Sequence, residues 1–597
     1  VVEFNDNAVR YAVSVNDEIH ADSVIVNAGK DYTFSGTGTI AEGALVKKGS
    51  GTLTVSTTNT YTGGNFFSGG VVVVSALAND VQAAGHLGGV TEAMNKFTME
   101  NGAVLRTTST VTNGSPIRFL GAEGGVIENT ADFNQQKLFS GTLLTKKGGG
   151  WLKTSASGTS LTKMIIAEGT VQNGSGNAAQ TVELQGGALV DNVGTSNTIS
   201  VPEGFTGAWT TGNRCTYTNK VTGAGTLTVY CATEKGSGWY ATRTPLRLDL
   251  SGFTGTFVPQ ATYAADGRFT FDTGNGLAGG TMNIPAGIEV QNTGKIFKIG
   301  KLEGEGTLGG FCTFSNSGGN TGSNTWQAGN DEDWIWKGKV TGAGTAFTKI
   351  GAGKMTVYGA WDNTGAVRVN EGQLSLNSRA MLGTGALTVA AGATLSGRTA
   401  DDLTNSSFNI QGMLQVGSSE TSTIGTMGFG NKNVTFGRNS VLRLGIAKAA
   451  TATSTGGTSI KNIGTLTMNG TVSLYYSASC SLAVGDSVVL WQAKTVTGTP
   501  VLENEVIDAA KGLYWDTTDL LKGILRVTDV APDGVAFVAS DKEVQVQVVT
   551  SSGVVAYSYT CLYGDVERSF RNASLPSGVY MLRIQSGGQN KVIKVRR

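Results

Sequence analysis

The stretch Leu45-Val46-Lys47-Lys48-Gly49-Ser50-Gly51-Thr52-Leu53-Thr54-Val55 holds two short strands and the glycine corner between them. Each strand alternates an apolar residue with Thr, Lys or another small residue, the period-two pattern of a half-buried strand. After a short linker come Tyr61-Thr62-Gly63-Gly64 and a further strand, Gly70 to Val74. The unit returns as Leu144-Thr-Lys146-Lys-Gly148-Gly-Gly150-Trp-Leu152, followed by Ile165-Ile-Ala-Glu168-Gly169-Thr-Val171. A third copy runs Phe347-Thr-Lys349-Ile-Gly351-Ala-Gly353-Lys-Met355-Thr-Val357, with the tail Val367-Arg-Val369-Asn-Glu371-Gly372-Gln-Leu374. Shorter echoes lie at Gly223-Ala-Gly225-Thr-Leu227, Gly304-Glu-Gly306-Thr-Leu308 and Gly464-Thr-Leu466-Thr-Met468.

A strand this short cannot bury its apolar face alone, but coils stacked on one another build a continuous core. Glycine marks the corners, where the backbone needs positive φ or passes close to the next coil. The expected fold is all-β: a right-handed parallel β-helix, or β-solenoid, with coils of roughly 22 residues over positions 1–530. A globular array of sandwiches is the alternative. Helical signals are nearly absent; Ser75 to Gly85 is the best stretch, worth one short turn. Residues 177–290 match the repeat poorly, which leaves the number of coils there open.

Composition agrees. Of 597 residues, 87 are glycine and only 8 proline, and charged residues make up 15%, well under the usual quarter. No apolar run is long enough to span a membrane as a helix. The formal net charge of +1 argues against nucleic acid or an anionic membrane as a broad electrostatic partner. Five cysteines, with no C-x-x-C pair, are too few for a disulfide scaffold. They read as free thiols, although Cys215 and Cys231 are close enough in sequence to pair between neighbouring strands. Val1 begins within an alternating pattern, without a basic or apolar leader, and reads as a mature or truncated start with more chain upstream.

The repeat is similar to the autotransporter-associated β-strand repeat of bacterial passenger domains. That resemblance covers most of the chain to about Val527, and it extends to Leu382-Gly383-Thr-Gly385-Ala-Leu387 and to the closing segments around Gly485-Asp486 and Trp515-Asp516. It implies a secreted or outer-membrane cell-surface location and a non-catalytic role, adhesin-like or stalk.

A composition shift near Ala531-Pro532-Asp533-Gly534 marks a second part, 531–597, with alternating strands at Glu543–Val549, Val554–Tyr559, Gly578–Ile584 and Lys591–Val595. These predict a small Ig-like β-sandwich. The segment resembles the C-terminal sorting domain of type IX secretion substrates, a Bacteroidota system. Leu575, Pro576, Gly578 and Tyr580 match its L-P-x-G-x-Y motif, and Lys591 and Lys594 lie in its terminal strand. The usual Asn-Pro at the domain's start is replaced by Ala539-Ser540-Asp541. The resemblance implies the type IX secretion machinery as a partner. The simpler reading makes the terminal basic residues a solvated strand edge.

No catalytic, cofactor or metal site is expected. The two histidines, His20 and His86, lie in unrelated segments, and no glycine loop ends in the Lys-Ser/Thr of a phosphate loop. One polar cluster stands out: Asn330, Asp331, Glu332 and Asp333, flanked by Trp326, Trp334 and Trp336. Carboxylates beside indoles suit a glycan contact, calcium or an acid/base pair. Against this, Trp334 and Trp336 lie two apart on a strand and share one face, which suits a core. Lys47, Lys48, Lys146, Lys147 and Lys349 recur at one place in the repeat and are expected outside the coil, keeping the sheet soluble. Surface glycans or a host surface are the expected ligands. The alternative function is the C-terminal part of a larger polysaccharide-degrading or glycan-binding protein.

Overall fold

The computed structural model describes the whole chain except residues 156–159, 175–178, 192–194, 213–216, 232–244, 262–266, 293–294, 311–323, 418–424, 449–455, 532–541, 551, 587–588 and 597. It packs as two compact units. Val1–Gln415 with Met427–Ser440 forms one; Val416–Thr426 with Val441–Arg597 forms the other.

The first unit is a parallel β-solenoid. Val24 pairs with Leu45 and Leu45 with Asn65; far along the chain Leu374 pairs with Leu395 and Leu395 with Leu414. The strand advances about 20 residues per coil, close to the spacing expected from the repeat. Thr52–Val55, Thr170–Asn173 and Lys354–Val357 all alternate half-buried with buried positions, so one face of each strand lines the core. Each apolar side chain taken fully inside contributes about 1.5–3 kcal/mol. The core carries an aromatic column in which Phe257, Phe271, Phe297 and Trp326 touch in turn, with ring centroids 5.9, 4.8 and 5.5 Å apart.

The poorly matching region is not an interruption. Val182 pairs with Ile199 and Ile199 with Val221, and all three are buried. The repeat's sequence is lost there while parallel pairing of alternating strands continues among the described residues, with register shifts at Lys220/Thr222 and Leu277/Thr281. Corner geometry explains the glycines that do recur. Gly351 sits at φ +73°, and a Cβ on it would press against the backbone of Asn330 one coil below. Ser75 to Gly85 contains turns and no helix.

The second unit begins with parallel coils, Val441–Ala447 beside Thr471–Tyr476 and Ser459–Met468 beside Trp491–Gly498. Pairing then becomes antiparallel in a small sheet built from Ser487–Val489, Ile524–Thr528, Leu513–Asp516 and Val506–Asp508. Lys448 and Asp486, both mostly buried, join the parallel coils to this sheet at 2.6 Å. The C-terminal strands Val555–Leu562, Glu543–Thr550, Val579–Ser586 and Gln589–Arg596 form a second antiparallel sheet. The expected Ig-like sandwich needs two facing sheets. Among the described residues its place is taken by one sheet with a seven-residue helix, Val566–Asn572, on it. Val566 and Phe570 of that helix pack with Val544, Val546, Val548, Tyr580, Leu582 and Ile584 in a core of their own. Among the described residues no helix is long and apolar enough to cross a membrane.

Candidate functional site

The carboxylate–tryptophan cluster is built on the strand Trp334–Trp336, whose middle residue Ile335 points outward. The two indoles point inward and are 4% and 0% exposed. Trp336 lies nearly parallel to Phe347, centroids 6.5 Å apart, and meets Trp361 at 5.7 Å. Trp334 lies under the Lys349 ammonium, 5.3 Å from its ring centroid. Neither ring offers a face to a sugar.

The carboxylates of this cluster tie one coil to the next. Asp331 Oδ1 accepts the Ala352 N–H at 3.1 Å, and Asp333 Oδ1 accepts the Lys354 N–H at 2.7 Å. The Lys354 ammonium stands 3.5 Å from the other Asp333 oxygen. The Lys354 backbone N–H is the main cause that holds the Asp333 carboxyl below its ordinary range. The cluster's burial and bonding favour a core role over sugar stacking.

The repeated lysines are corrected by the structure. Lys47, Lys146 and Lys349 are 0% exposed and point into the corner of the coil; only Lys48 and Lys147 face outward. Lys47 Nζ donates to the carbonyls of Lys48, Gly49 and Gly69 at 2.6, 2.9 and 3.4 Å. Lys146 Nζ donates to Lys147, Gly148 and Glu168 at 2.7, 2.5 and 3.3 Å. Lys349 Nζ donates to Ile350, Gly351 and Glu371 at 2.8, 2.8 and 3.4 Å. Three N–H donors meet three carbonyls in each case, and the third carbonyl lies 22 residues on, in the following coil. Burial pulls all three lysines down to about 8, so each is still an ammonium at neutral pH.

Glu168 and Glu371 complete two of the corners by accepting the Gly148 and Gly351 N–H groups, both at 2.8 Å. Gly69 stands at that position in the first copy. The signal that places these lysines was in the sequence: Lys47 is two residues from Leu45 and shares its inward face.

The C-terminal motif residues are brought together at the base of the terminal sheet. Tyr580, buried beside Phe570 with centroids 5.8 Å apart, donates its hydroxyl to the Pro576 carbonyl at 2.8 Å. Leu575 packs against the same core, and Gly578 lies beside the Tyr580 ring. Lys591 and Lys594 are on the last strand, paired with Ile584 and Met581, and Lys594 is exposed.

Among the described residues no group of three or more His, Cys, Asp or Glu side chains could hold a metal. Cys480 and Cys561 are free and half-buried. Cys215 and Cys312 lie outside the described residues, so the Cys215–Cys231 pairing has no geometry here.

Two segments of this chain, residues 45–74 and 347–376, match the family model described as the passenger-associated-transport-repeat. Each contains one of the caged lysines, Lys47 and Lys349. The repeat and the solenoid together support an autotransporter-type passenger β-helix. A relative in Brucella suis biovar 1 (strain 1330), described as the adhesin BmaC autotransporter, is 28% identical over 225 residues. That match takes in 33% of this chain but only 6% of the adhesin's length.

Proposed function

We propose that the chain is a non-catalytic surface passenger, adhesin-like, with 1–530 as the displayed solenoid and 531–597 as the signal for its export by a type IX machinery. The observation that carries the first half is the caged lysine in each good copy of the repeat. The repeat's polar groups bind the coil to itself, leaving a stacked wall as the part that meets the outside. Similarity to a passenger repeat and to an adhesin supports a surface or secreted location. Contacts to glycans or a host surface would then be distributed along the wall, with Asp331 and Asp333 within reach at its rim and Trp334 and Trp336 inside.

The export half rests on the Leu575-Pro576-Ser577-Gly578-Val579-Tyr580 motif, its Tyr580–Pro576 hydrogen bond and the separate core of that module. Removal of 531–597 in the native host tests it, read by surface proteolysis of intact cells. The full chain should be cleaved from outside and the truncated chain protected within the cell. Equal surface cleavage of both would remove the export role and leave the solenoid reading untouched.

A further inference from the structure

The coil spacing breaks once near the start of the solenoid. Leu45 pairs with Asn65 after 20 residues, but Asn65 pairs with Phe97 after 32. The surplus is an excursion, residues 75–96, between the strands Val71–Val74 and Phe97–Glu100. Asn79 to Gln82 are exposed at its tip, whereas Gly85 to Gly88 return to the wall and are buried.

Two side chains pin that return. Asn59, 1% exposed, donates to the His86 carbonyl at 2.7 Å while its backbone exchanges hydrogen bonds with Gly85. His86, 8% exposed, accepts the Ser75 N–H at Nδ1, 3.3 Å away, and bonds the Val55 backbone. A ring nitrogen that accepts from a backbone N–H must be unprotonated, so this arrangement requires the neutral imidazole.

The groups facing the ring offer no compensation for a positive charge. Val55, Thr57 and Asn59 on the wall, and Ser75 and Ala76 at the start of the excursion, are all uncharged. On the excursion itself, Asp80 is exposed and caps the Gln82 N–H, Glu92 stands 3.7 Å from Lys137, and Lys96 donates to the Thr62 carbonyl. Burial pulls the His86 pKa below its ordinary value of 6.5, and the Val55 bond opposes this only in part.

We infer that His86 is an acid-sensitive latch that holds the 75–96 excursion on the solenoid wall at neutral pH. Protonation at Nδ1 puts a second N–H donor against the Ser75 N–H, breaks that bond and leaves a buried cation that keeps its Val55 backbone bond but has no counter-charge beside it. The returning segment then separates from Ser75 and Asn59, and its tip becomes free to rearrange. The folded pKa lies below the unfolded one, so the open form binds more protons and opening grows as pH falls. Between the ordinary value and the folded pKa, each unit of pH favours opening by up to about tenfold, and below the folded pKa the gain levels off.

The two histidines of the chain make the test direct, because His20→Ala leaves His86 as the sole imidazole. The full chain carrying His20→Ala would be followed by proton NMR for the His86 titration and by hydrogen exchange of amides 75–90, corrected for intrinsic pH effects. The expected result is a His86 midpoint below 6.5 and faster exchange in 75–90 that grows as pH falls below about 6.5 and levels off at that midpoint. Adding His86→Gln, whose amide keeps an acceptor and a donor without titrating, should abolish the acid response. An acid response that persists in His86→Gln, or exchange that ignores the His86 midpoint, would overturn the latch. Should the Gln variant fail to fold, the levelling of exchange at the His86 midpoint still decides.

Discussion

A lysine placed at 0% exposure with three carbonyl acceptors is the feature that most distinguishes this repeat at the residue scale. Lys349→Met keeps the apolar stem but leaves three carbonyls without their donor, one of them in the following coil. The expected cost is about 3 kcal/mol, read from urea denaturation midpoints. A loss under 1 kcal/mol would mean that water serves the corner equally well. The pH dependence carries a sign that can be checked separately. Lys349 titrates at about 8 in the fold and 10.5 in an open chain, so between those values the unfolded state binds more protons. Stability contributed at this site therefore rises with pH across that window and is flat below it. The deficit of Lys349→Met against the parent should widen from pH 8 to pH 10, and a constant deficit would contradict the burial-lowered lysine. The recurrence of these lysines was legible in the sequence, but their direction was misread. General solubility reasoning places lysine outside, whereas parity with Leu45 and Leu144 places Lys47 and Lys146 inside.

At the scale of the element, the strand Trp334–Trp336 shows how parity and neighbours act together. Its alternation of buried and exposed positions places both indoles in the core and Ile335 outside. Trp336→Ala removes a ring held between Phe347 and Trp361, and should cost about 3–5 kcal/mol. Asp331→Ala removes a single hydrogen bond to an exposed corner amide and should cost under about 1 kcal/mol. Thermal melts of the two variants check the contrast. Two equal, small shifts would place the indoles outside the core. Strands and corners were legible here because alternation and glycine are local signals. The helix Val566–Asn572 was not, since its apolar contacts are only Val566 and Phe570, too few to show a helical period. It is held instead by packing on the terminal sheet, with an exposed Asp565–Arg568 ion pair at 3.0 Å at its first turn. That helix covers the face where a second sheet of the expected sandwich would have packed.

For the molecule as a whole, low charge and abundant glycine follow from a repeat whose polar groups are largely engaged between coils. Asp6 accepts from Gly29 and Lys30, Asp31 from Thr52, and Asp333 from Lys354, each one coil away. Sequence similarity fades between 177 and 290 while the ladder continues, because a coil needs alternation and corner geometry and tolerates many residues that supply them. The long-range partners of each polar group could not be read from the chain, since they depend on which residues the register brings into line. One measurement reads the outcome for the lysines: amine acetylation of the native protein at pH 7.5, quantified site by site by mass spectrometry. Lys48 and Lys147 should react as exposed amines while Lys47, Lys146 and Lys349 stay protected until the chain is unfolded. Equal labelling of neighbours Lys47 and Lys48, or of Lys146 and Lys147, would contradict the caged corners and the coil built around them.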